Sequence, residues 1–150
     1  MTSEVALKRN VMDPIREKPM QLPKVGLVIC NSGGSNSGTS TGMAAMKVVE
    51  KLGDVVGICS LPALVNEVST QTALVKKIPH LIVIDGCRNE CARKILKRLG
   101  IGYEAYINLE YDLGIRKLGP FTTLEYSEDD VERISSAITK RIEKALGNHK

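Results

Sequence analysis

The sequence predicts an α/β fold with three layers, in which helices cover both faces of a mainly parallel sheet of about four strands. Short apolar runs alternate along the chain with longer stretches of helical periodicity, and this is the pattern of repeated strand–helix–strand units. The first run, residues 25–29, is continuously apolar, as expected for a strand buried on both faces. Right-handed crossovers and one reversal of winding would place this strand between the second and the third, in a Rossmann-like α/β/α arrangement.

The predicted elements follow one another in a regular order. Strands are predicted over residues 25–30, 55–59, 80–86 and 104–109. Helices are predicted over residues 41–52, over 62–77, from the region of Cys91 to Gly100, and from Ser127 to Gly147. The fourth strand alternates between apolar and polar residues, so one of its faces is expected to be exposed. Ser127 with Asp130 resembles a capping box at the start of the last helix.

Residues 1–24 differ from the rest of the chain, because they show no clear hydrophobic period and contain three prolines. We expect them to form an N-terminal arm that is partly disordered. Residues 25–150 are expected to form a single domain that buries a core of its own. The chain has no run of about 20 apolar residues, and its first residues lack the apolar core of a signal peptide. We therefore expect no membrane segment and a cytoplasmic location.

The charge pattern excludes a strongly basic or acidic protein. The formal net charge is +4, from 21 basic and 17 acidic residues. Nucleic acid is not expected as a partner, because the aromatic residues lie together late in the chain and do not alternate with the basic ones. Basic residues concentrate only between Arg88 and Arg98. We interpret them as the solvated face of a helix, with attraction of a small anion as the alternative.

All four cysteines lie where a predicted strand ends or where the next helix begins. Cys30, Cys59 and Cys87 close the first three strands, and Cys91 follows Cys87 by one helical turn. The carboxyl ends of parallel strands meet at one edge, where α/β proteins bind their ligands. In a reducing compartment four such cysteines are more often metal ligands or redox groups than disulfides. The sequence therefore predicts a shared thiolate site that binds a metal ion.

The two histidines are not expected to join this site. His80 begins the third strand, and about six residues at ~3.3 Å each separate it from the cysteines by roughly 20 Å. His149 lies close to the C-terminus. A Cys–His nucleophile pair is therefore not expected, and the chain has no Cys-x-x-Cys redox motif.

A glycine- and serine-rich loop, residues 31–40, follows the first strand. It nearly matches a phosphate-binding P-loop, but Thr39 stands where the lysine would be. Two interpretations stay open. The loop is either a turn whose backbone N–H groups donate to the thiolates, or the floor of an anion- or substrate-binding pocket. Ser35, Asn36 and Gly38 are the candidate residues of this loop. They would either support the metal ligands through hydrogen bonds or bind an anion.

Asp85 is the remaining candidate site residue. Strand parity places its side chain on the same face as Cys87. It could act as a general base or as an acceptor behind the metal ligands. Equally, its carboxylate could accept backbone N–H groups at the start of the next helix.

These residues resemble the DGC-domain family. The match is carried by Cys30-Asn31-Ser32-Gly33-Gly34-Ser35-Asn36-Ser37-Gly38, by Cys59, by Asp85-Gly86-Cys87-Arg88-Asn89-Glu90-Cys91-Ala92, and by residues 112–117. The family is named for its Asp-Gly-Cys motif and is described as candidate zinc-binding proteins with four cysteines. The resemblance implies a zinc site formed by Cys30, Cys59, Cys87 and Cys91. It implies no substrate.

Two other interpretations use the same cysteines. Cys91 begins a helix beside basic side chains, so Cys91 or Cys87 could serve a thiol-dependent redox or sulfur-transfer enzyme. Four cysteines also hold iron–sulfur clusters. A closed site of four protein ligands leaves no position for water, which argues against hydrolytic metal catalysis. The sequence predicts neither a reaction nor an oligomeric state.

Overall fold

The computed structural model describes residues 20–147. Its strands are β1 (Val25–Ile29), β2 (Val56–Ile58), β3 (His80–Asp85) and β4 (Ala105–Asn108). Its helices are α1 (Asn36–Leu52), α2 (Leu61–Val65), α3 (Ser69–Lys77), α4 (Cys91–Leu99), α5 (Leu109–Leu113) and α6 (Glu128–Ala145). Most of the predicted N-terminal arm, residues 1–19, lies outside the described residues, and so does His149. No helix between residues 20 and 147 is long and apolar enough to cross a membrane.

The four strands form one parallel sheet in the order β2–β1–β3–β4. Val25 of β1 is paired with Val56 on one side and with His80 on the other. Because β1 has a strand on both sides and helices on both faces, all five of its residues are buried. The predicted fold class and the central place of the first strand are confirmed.

Helices cover both faces of the sheet and divide the core in two. On one face, β1 and β3 pack against α1 and α6 through residues such as Leu27, Val48 and Ile138. On the other face they pack against α2, α3 and α4, through residues such as Val83 and Leu96. Side chains alternate between the two faces along each strand. The connection after β1 leads to α1 on one face, and the connection after β3 leads to α4 on the other.

Helix α1 begins at Asn36, five residues before the predicted start at residue 41. Ser35 caps it, because its Oγ accepts the N–H of Gly38 at 3.3 Å. A Cβ on Gly38 would overlap with the carbonyl oxygen of Ser32. Glycine here therefore lets the loop fold back onto the first helical turn. The prediction of a longer loop was wrong because it took this glycine as a loop residue rather than as a contact point.

The other elements largely follow the prediction. The helical stretch over 62–77 divides into α2 and α3, separated by a turn in which Glu67 has a φ of +52°. Helix α4 ends at Gly100 with a φ of +67°. Ser127 caps α6 by accepting the N–H of Asp130 at 3.1 Å. The short helix α5 after β4 was not predicted. It is capped by Asn108, whose Oδ1 accepts two backbone N–H groups.

Candidate thiol site

The carboxyl ends of β1 and β3 lie side by side at the centre of the sheet, where the winding reverses. Such a reversal opens a crevice in which open α/β sheets bind their ligands. Cys30 directly follows β1, and its N–H still donates to the carbonyl of Ile84 in β3 at 2.9 Å. Cys87 lies on the loop after β3, and Cys91 is the first residue of α4. Three of the four cysteines therefore lie on the segments that follow the two strand ends bordering this crevice.

Cys30 is half-buried, whereas Cys91 is exposed. The backbone N–H groups of Ser32 and Gly86 lie near the Cys30 sulfur and favour the thiolate. Burial raises the pKa of the Cys30 thiol, the charges of Asp85 and Cys91 act in the same direction, and the two N–H groups act against it. The position of the Ser32 N–H near this sulfur is compatible with the interpretation of the glycine- and serine-rich loop as a turn that surrounds the thiolates.

Asp85, the last residue of β3, is 1% exposed. Its carboxylate accepts the N–H of Ala92 at 2.8 Å, the N–H of Arg93 at 3.1 Å and the hydroxyl of Tyr106 at 3.1 Å. Glu90, in the capping position of α4, has a φ of +52° and makes no side-chain cap. Asp85 therefore caps α4 from the sheet, as the second predicted role for this residue describes. Burial raises the pKa of the Asp85 carboxyl, although its three hydrogen bonds act against that shift.

Gly86 brings the two central loops into contact. A Cβ at this position would lie 3.0 Å from the carbonyl carbon and oxygen of Ser37, and 3.2 Å from the nitrogen of Gly38. Glycine is thus the residue that lets the β3 loop approach the first turn of α1, and its N–H reaches the Cys30 sulfur from there. The members of the Asp-Gly-Cys motif therefore contribute in different ways, since Asp85 caps α4, Gly86 permits the contact and Cys87 presents a thiol.

The loop that carries Cys87 is fixed from the β4 side. Asn108 donates its side-chain N–H to the carbonyl of Cys87 at 2.9 Å. Glu110 accepts the backbone N–H of Arg88 at 2.9 Å. Neither residue was among the predicted site residues. The signal was present, because the fourth predicted strand ends at the same edge as the other three and Asn108 is its last residue but one.

A segment without helix or strand, residues 114–126, crosses the start of α1, and we call it the strap. It carries Lys117, whose Nζ lies 3.9 Å from the Sγ of Cys87. Asn36 binds the strap on both sides of this lysine, through the carbonyl of Arg116 and the N–H of Leu118. The predicted residues Ser35 and Asn36 thus make their hydrogen bonds within α1 and to the strap. Lys117 was not predicted as a site residue.

Cys59 occupies a different environment. It is buried, and its N–H donates to the carbonyl of Leu27 at 2.9 Å. Its sulfur lies 3.0 Å from the point that a Cβ on Gly26 would occupy, so it is directed back along the sheet and away from the edge. Burial raises the pKa of the Cys59 thiol to about 11. Cys30 and Cys59 nevertheless line one surface pocket of about 570 Å³.

A family model for the DGC domain matches residues 27–138. The chain belongs to the DGC domain family. The match begins within β1 and ends within α6, so it contains the whole crevice, all four cysteines and the strap. No curated protein matches the chain significantly, and no solved structure does.

The cysteines of this DGC domain suit zinc or an iron–sulfur cluster by their chemistry, since both bind thiolates. Within residues 20–147, which contain all four cysteines, no group of three or more Cys, His, Asp or Glu side chains is arranged to hold a metal ion. Because Cys30, Cys87 and Cys91 alone number three, their sulfurs are not brought together either, and the direction of the Cys59 sulfur keeps the fourth thiol apart as well. His80 lies at the amino end of β3, 3.0 Å from the carboxylate of Glu104, and is remote from the crevice as expected.

Proposed function

We propose that this DGC domain binds zinc through the thiolates of Cys30, Cys59, Cys87 and Cys91. The placement of the cysteines supports this most directly. Three of them lie on the segments that follow the carboxyl ends of β1 and β3, and the fourth lines a pocket together with Cys30. A tetrahedral zinc site with Zn–S bonds of ~2.3 Å needs sulfurs just under ~4 Å apart. Membership of the DGC family also supports the proposal, because the family is described as having four such cysteines.

The proposal requires that Cys59 changes its side-chain conformation. Its sulfur packs against Gly26, whereas the pocket that it shares with Cys30 opens toward the edge. Rotation about the Cα–Cβ bond of Cys59 would redirect the sulfur without moving β2. Cys87 on its loop and the exposed Cys91 at the helix start are less constrained by packing.

Four thiolates and one Zn²⁺ ion together carry a charge of about −2, and such a site leaves no coordination position for water. The proposed role is therefore to bind the metal for structure, storage or transfer rather than to catalyse hydrolysis. Free thiols that act as ligands need a reducing compartment, so a cytoplasmic location is part of the proposal.

Elemental analysis of protein purified without added metal tests the proposal. We expect about one zinc per chain, and serine variants of each of the four cysteines should lose it or bind it at least tenfold more weakly. His80→Ala is the control, because this metal-capable residue lies at the opposite edge and its loss should leave the zinc content unchanged. Zinc and iron both far below one per chain, together with four freely titrating thiols, would falsify the proposal.

An iron–sulfur cluster on the same cysteines is distinguished by colour. Zinc has a filled d shell and gives a colourless protein, whereas a cluster absorbs visible light. Protein purified without exposure to oxygen should therefore be examined by absorption spectroscopy next to the elemental analysis. A brown protein with iron and sulfide in place of zinc would reassign the metal but keep the four ligands.

A thiol-dependent redox or sulfur-transfer enzyme is the second candidate, and the contact of Lys117 with Cys87 favours it. A positive charge beside a cysteine sulfur increases its reactivity. This candidate predicts one or two rapidly alkylated thiols in protein as purified, with no effect of a chelator. Alkylation that becomes fast only after a chelator is added would instead favour the metal site.

A further inference from the structure

Lys117 lies on the strap at a point that is held on both sides. The side chain of Asn36, 5% exposed, donates to the carbonyl of Arg116 at 3.0 Å and accepts the N–H of Leu118 at 2.9 Å. Thr122 closes the same part of the strap, because its hydroxyl accepts the N–H of Asn36 at 3.0 Å. One buried amide thus fixes the backbone at Lys117 relative to α1, and a buried amide with both partners satisfied strongly favours one geometry.

The ammonium of Lys117 is directed at a thiol rather than at a carboxylate. Lys117 as a whole is half-buried, and its ammonium forms no ion pair with a carboxylate among residues 20–147. Two arginines that follow β3, one on the loop and one in α4, differ in this respect. Arg88 lies 3.7 Å from the carboxylate of Glu110, and Arg93 lies 3.0 Å from that of Glu90. The positive charge of Lys117 therefore lies beside the Cys87 sulfur without a carboxylate partner among the described residues.

We propose that Lys117 is a specificity-determining residue that directs small anions to the sulfur of Cys87, and that Asn36 is the residue that positions it. The inference rests on the proposed function only in treating Cys87 as a site residue. A charge about 4–6 Å from a bound anion, in surroundings between water and the protein interior, contributes on the order of 1 kcal/mol. This corresponds to a preference of about fivefold for an anionic over a neutral ligand of the same size.

The preference can be measured with a pair of alkylating reagents, anionic iodoacetate and neutral iodoacetamide, on the metal-free, reduced protein. Both react with the same thiolate, so the ratio of their rates at one cysteine cancels the thiolate fraction and reports the local charge. Mass spectrometry of peptides gives this ratio for Cys87 separately. We expect Lys117→Met to lower it about three- to tenfold, and Lys117→Arg to retain it.

The matched control is Lys76→Met, which removes an exposed lysine from the last turn of α3 at the opposite edge of the sheet. It should leave the ratio at Cys87 unchanged. Asn36→Ala should lower the ratio although Lys117 is still present. If Asn36→Ala does not fold, Thr122→Val is used as the test of positioning in its place. Raising the salt concentration to 0.5 M should reduce the difference between wild type and Lys117→Met.

An equal ratio in Lys117→Met and Lys76→Met would overturn the assignment of Lys117. A lowered ratio in Lys117→Met that neither Asn36→Ala nor Thr122→Val reproduces would overturn the positioning role of Asn36. The reagent ratio is measured without metal, and zinc content is measured without the reagents. A protein that binds zinc but shows no effect at Lys117 thus contradicts only this inference, and one that binds no zinc but shows the effect contradicts only the zinc proposal.

Discussion

The two sides of the carboxyl edge hold their cysteines in opposite ways. On the β2 side, Cys59 is kept in place by apolar packing over Gly26, and burial raises its pKa to about 11. On the β3 side, Cys87 lies on a half-buried loop. Asn108 donates a hydrogen bond to this loop, Glu110 accepts one from it, and Asp85 caps the helix that follows it. Packing holds the first thiol, whereas a polar network holds the second. Substitutions on the two sides should therefore lower the free energy of unfolding by different amounts.

The largest difference is expected between Asp85→Ala and Cys59→Ala. Loss of the Asp85 carboxylate leaves the N–H groups of Ala92 and Arg93 without their acceptor. It leaves the Tyr106 hydroxyl only the more distant carboxylate of Glu90, at 3.5 Å. Buried donors that lose a partner cost about 1–3 kcal/mol each. We expect the free energy of unfolding to fall by about 3–5 kcal/mol. Cys59→Ala removes one sulfur from an apolar site and should cost about 1–2 kcal/mol. Chemical denaturation of the metal-free proteins measures both.

Ser127→Ala provides the control for a lost helix cap far from the crevice. It removes the acceptor of a single N–H at the start of α6 and should cost about 1 kcal/mol. If Asp85→Ala cost no more than Ser127→Ala, water would be satisfying the freed donors and the polar network would not be what fixes the β3 side.

The sequence was sufficient to predict the sheet and its order because both depend on features that repeat along the chain. Continuous apolar runs mark buried parallel strands, and the crossover rule then places β1 in the centre. Boundaries that depend on one backbone contact were missed. The start of α1 is set by Ser35 and by the approach of Ser32 to Gly38, and nothing in the local periodicity indicates that contact.

The candidate site was predictable in its cysteines but not in its supporting residues. Cys30 and Cys87 lie at strand ends, and strand ends can be located from the sequence alone. Lys117 comes to the site on a segment that has no helix or strand, and it is fixed by Asn36 from 81 positions earlier in the chain. Such a long-range polar contact has no periodic signature. Parity also cannot show that the Cys59 sulfur turns back toward Gly26, because it gives the face of a strand but not the side-chain rotamer.

Substitution of two glycines tests the difference between the β3 side and the β2 side at the level of the backbone. A Cβ on Gly86 would meet the main chain of Ser37, which cannot move without displacing α1. A Cβ on Gly26 would meet the ends of the side chains of Leu81, Cys59 and Ile78, which can shift. We expect Gly86→Ala to cost about 2–3 kcal/mol and Gly26→Ala about 1–2 kcal/mol in unfolding free energy.

Gly102→Ala is the control for these glycine variants, since nothing lies within 4 Å of a Cβ there and its φ is not positive. It should leave stability unchanged or raise it slightly. Gly26→Ala should also displace the Cys59 sulfur and so increase its alkylation rate, which Gly86→Ala should not do. The comparison would have to be given up if Gly26→Ala were the more destabilising of the two variants.

The smallest expected effect concerns pH and the Cys59 thiol. Its pKa is about 11 in the folded protein against an ordinary value of 9.0, so the folded state keeps a proton that the unfolded chain loses between these values. The stability contribution is therefore fully present below about pH 9 and is lost as the pH rises toward 11. In metal-free, reduced protein, the difference in unfolding free energy between wild type and Cys59→Ala should shrink by about 1.5 kcal/mol from about pH 9 to about pH 10.5. Groups common to both proteins cancel in this difference. A difference that stays constant with pH would mean that the Cys59 sulfur already faces the pocket and ionises like an exposed thiol, which would bring it closer to Cys30 than the packing over Gly26 allows.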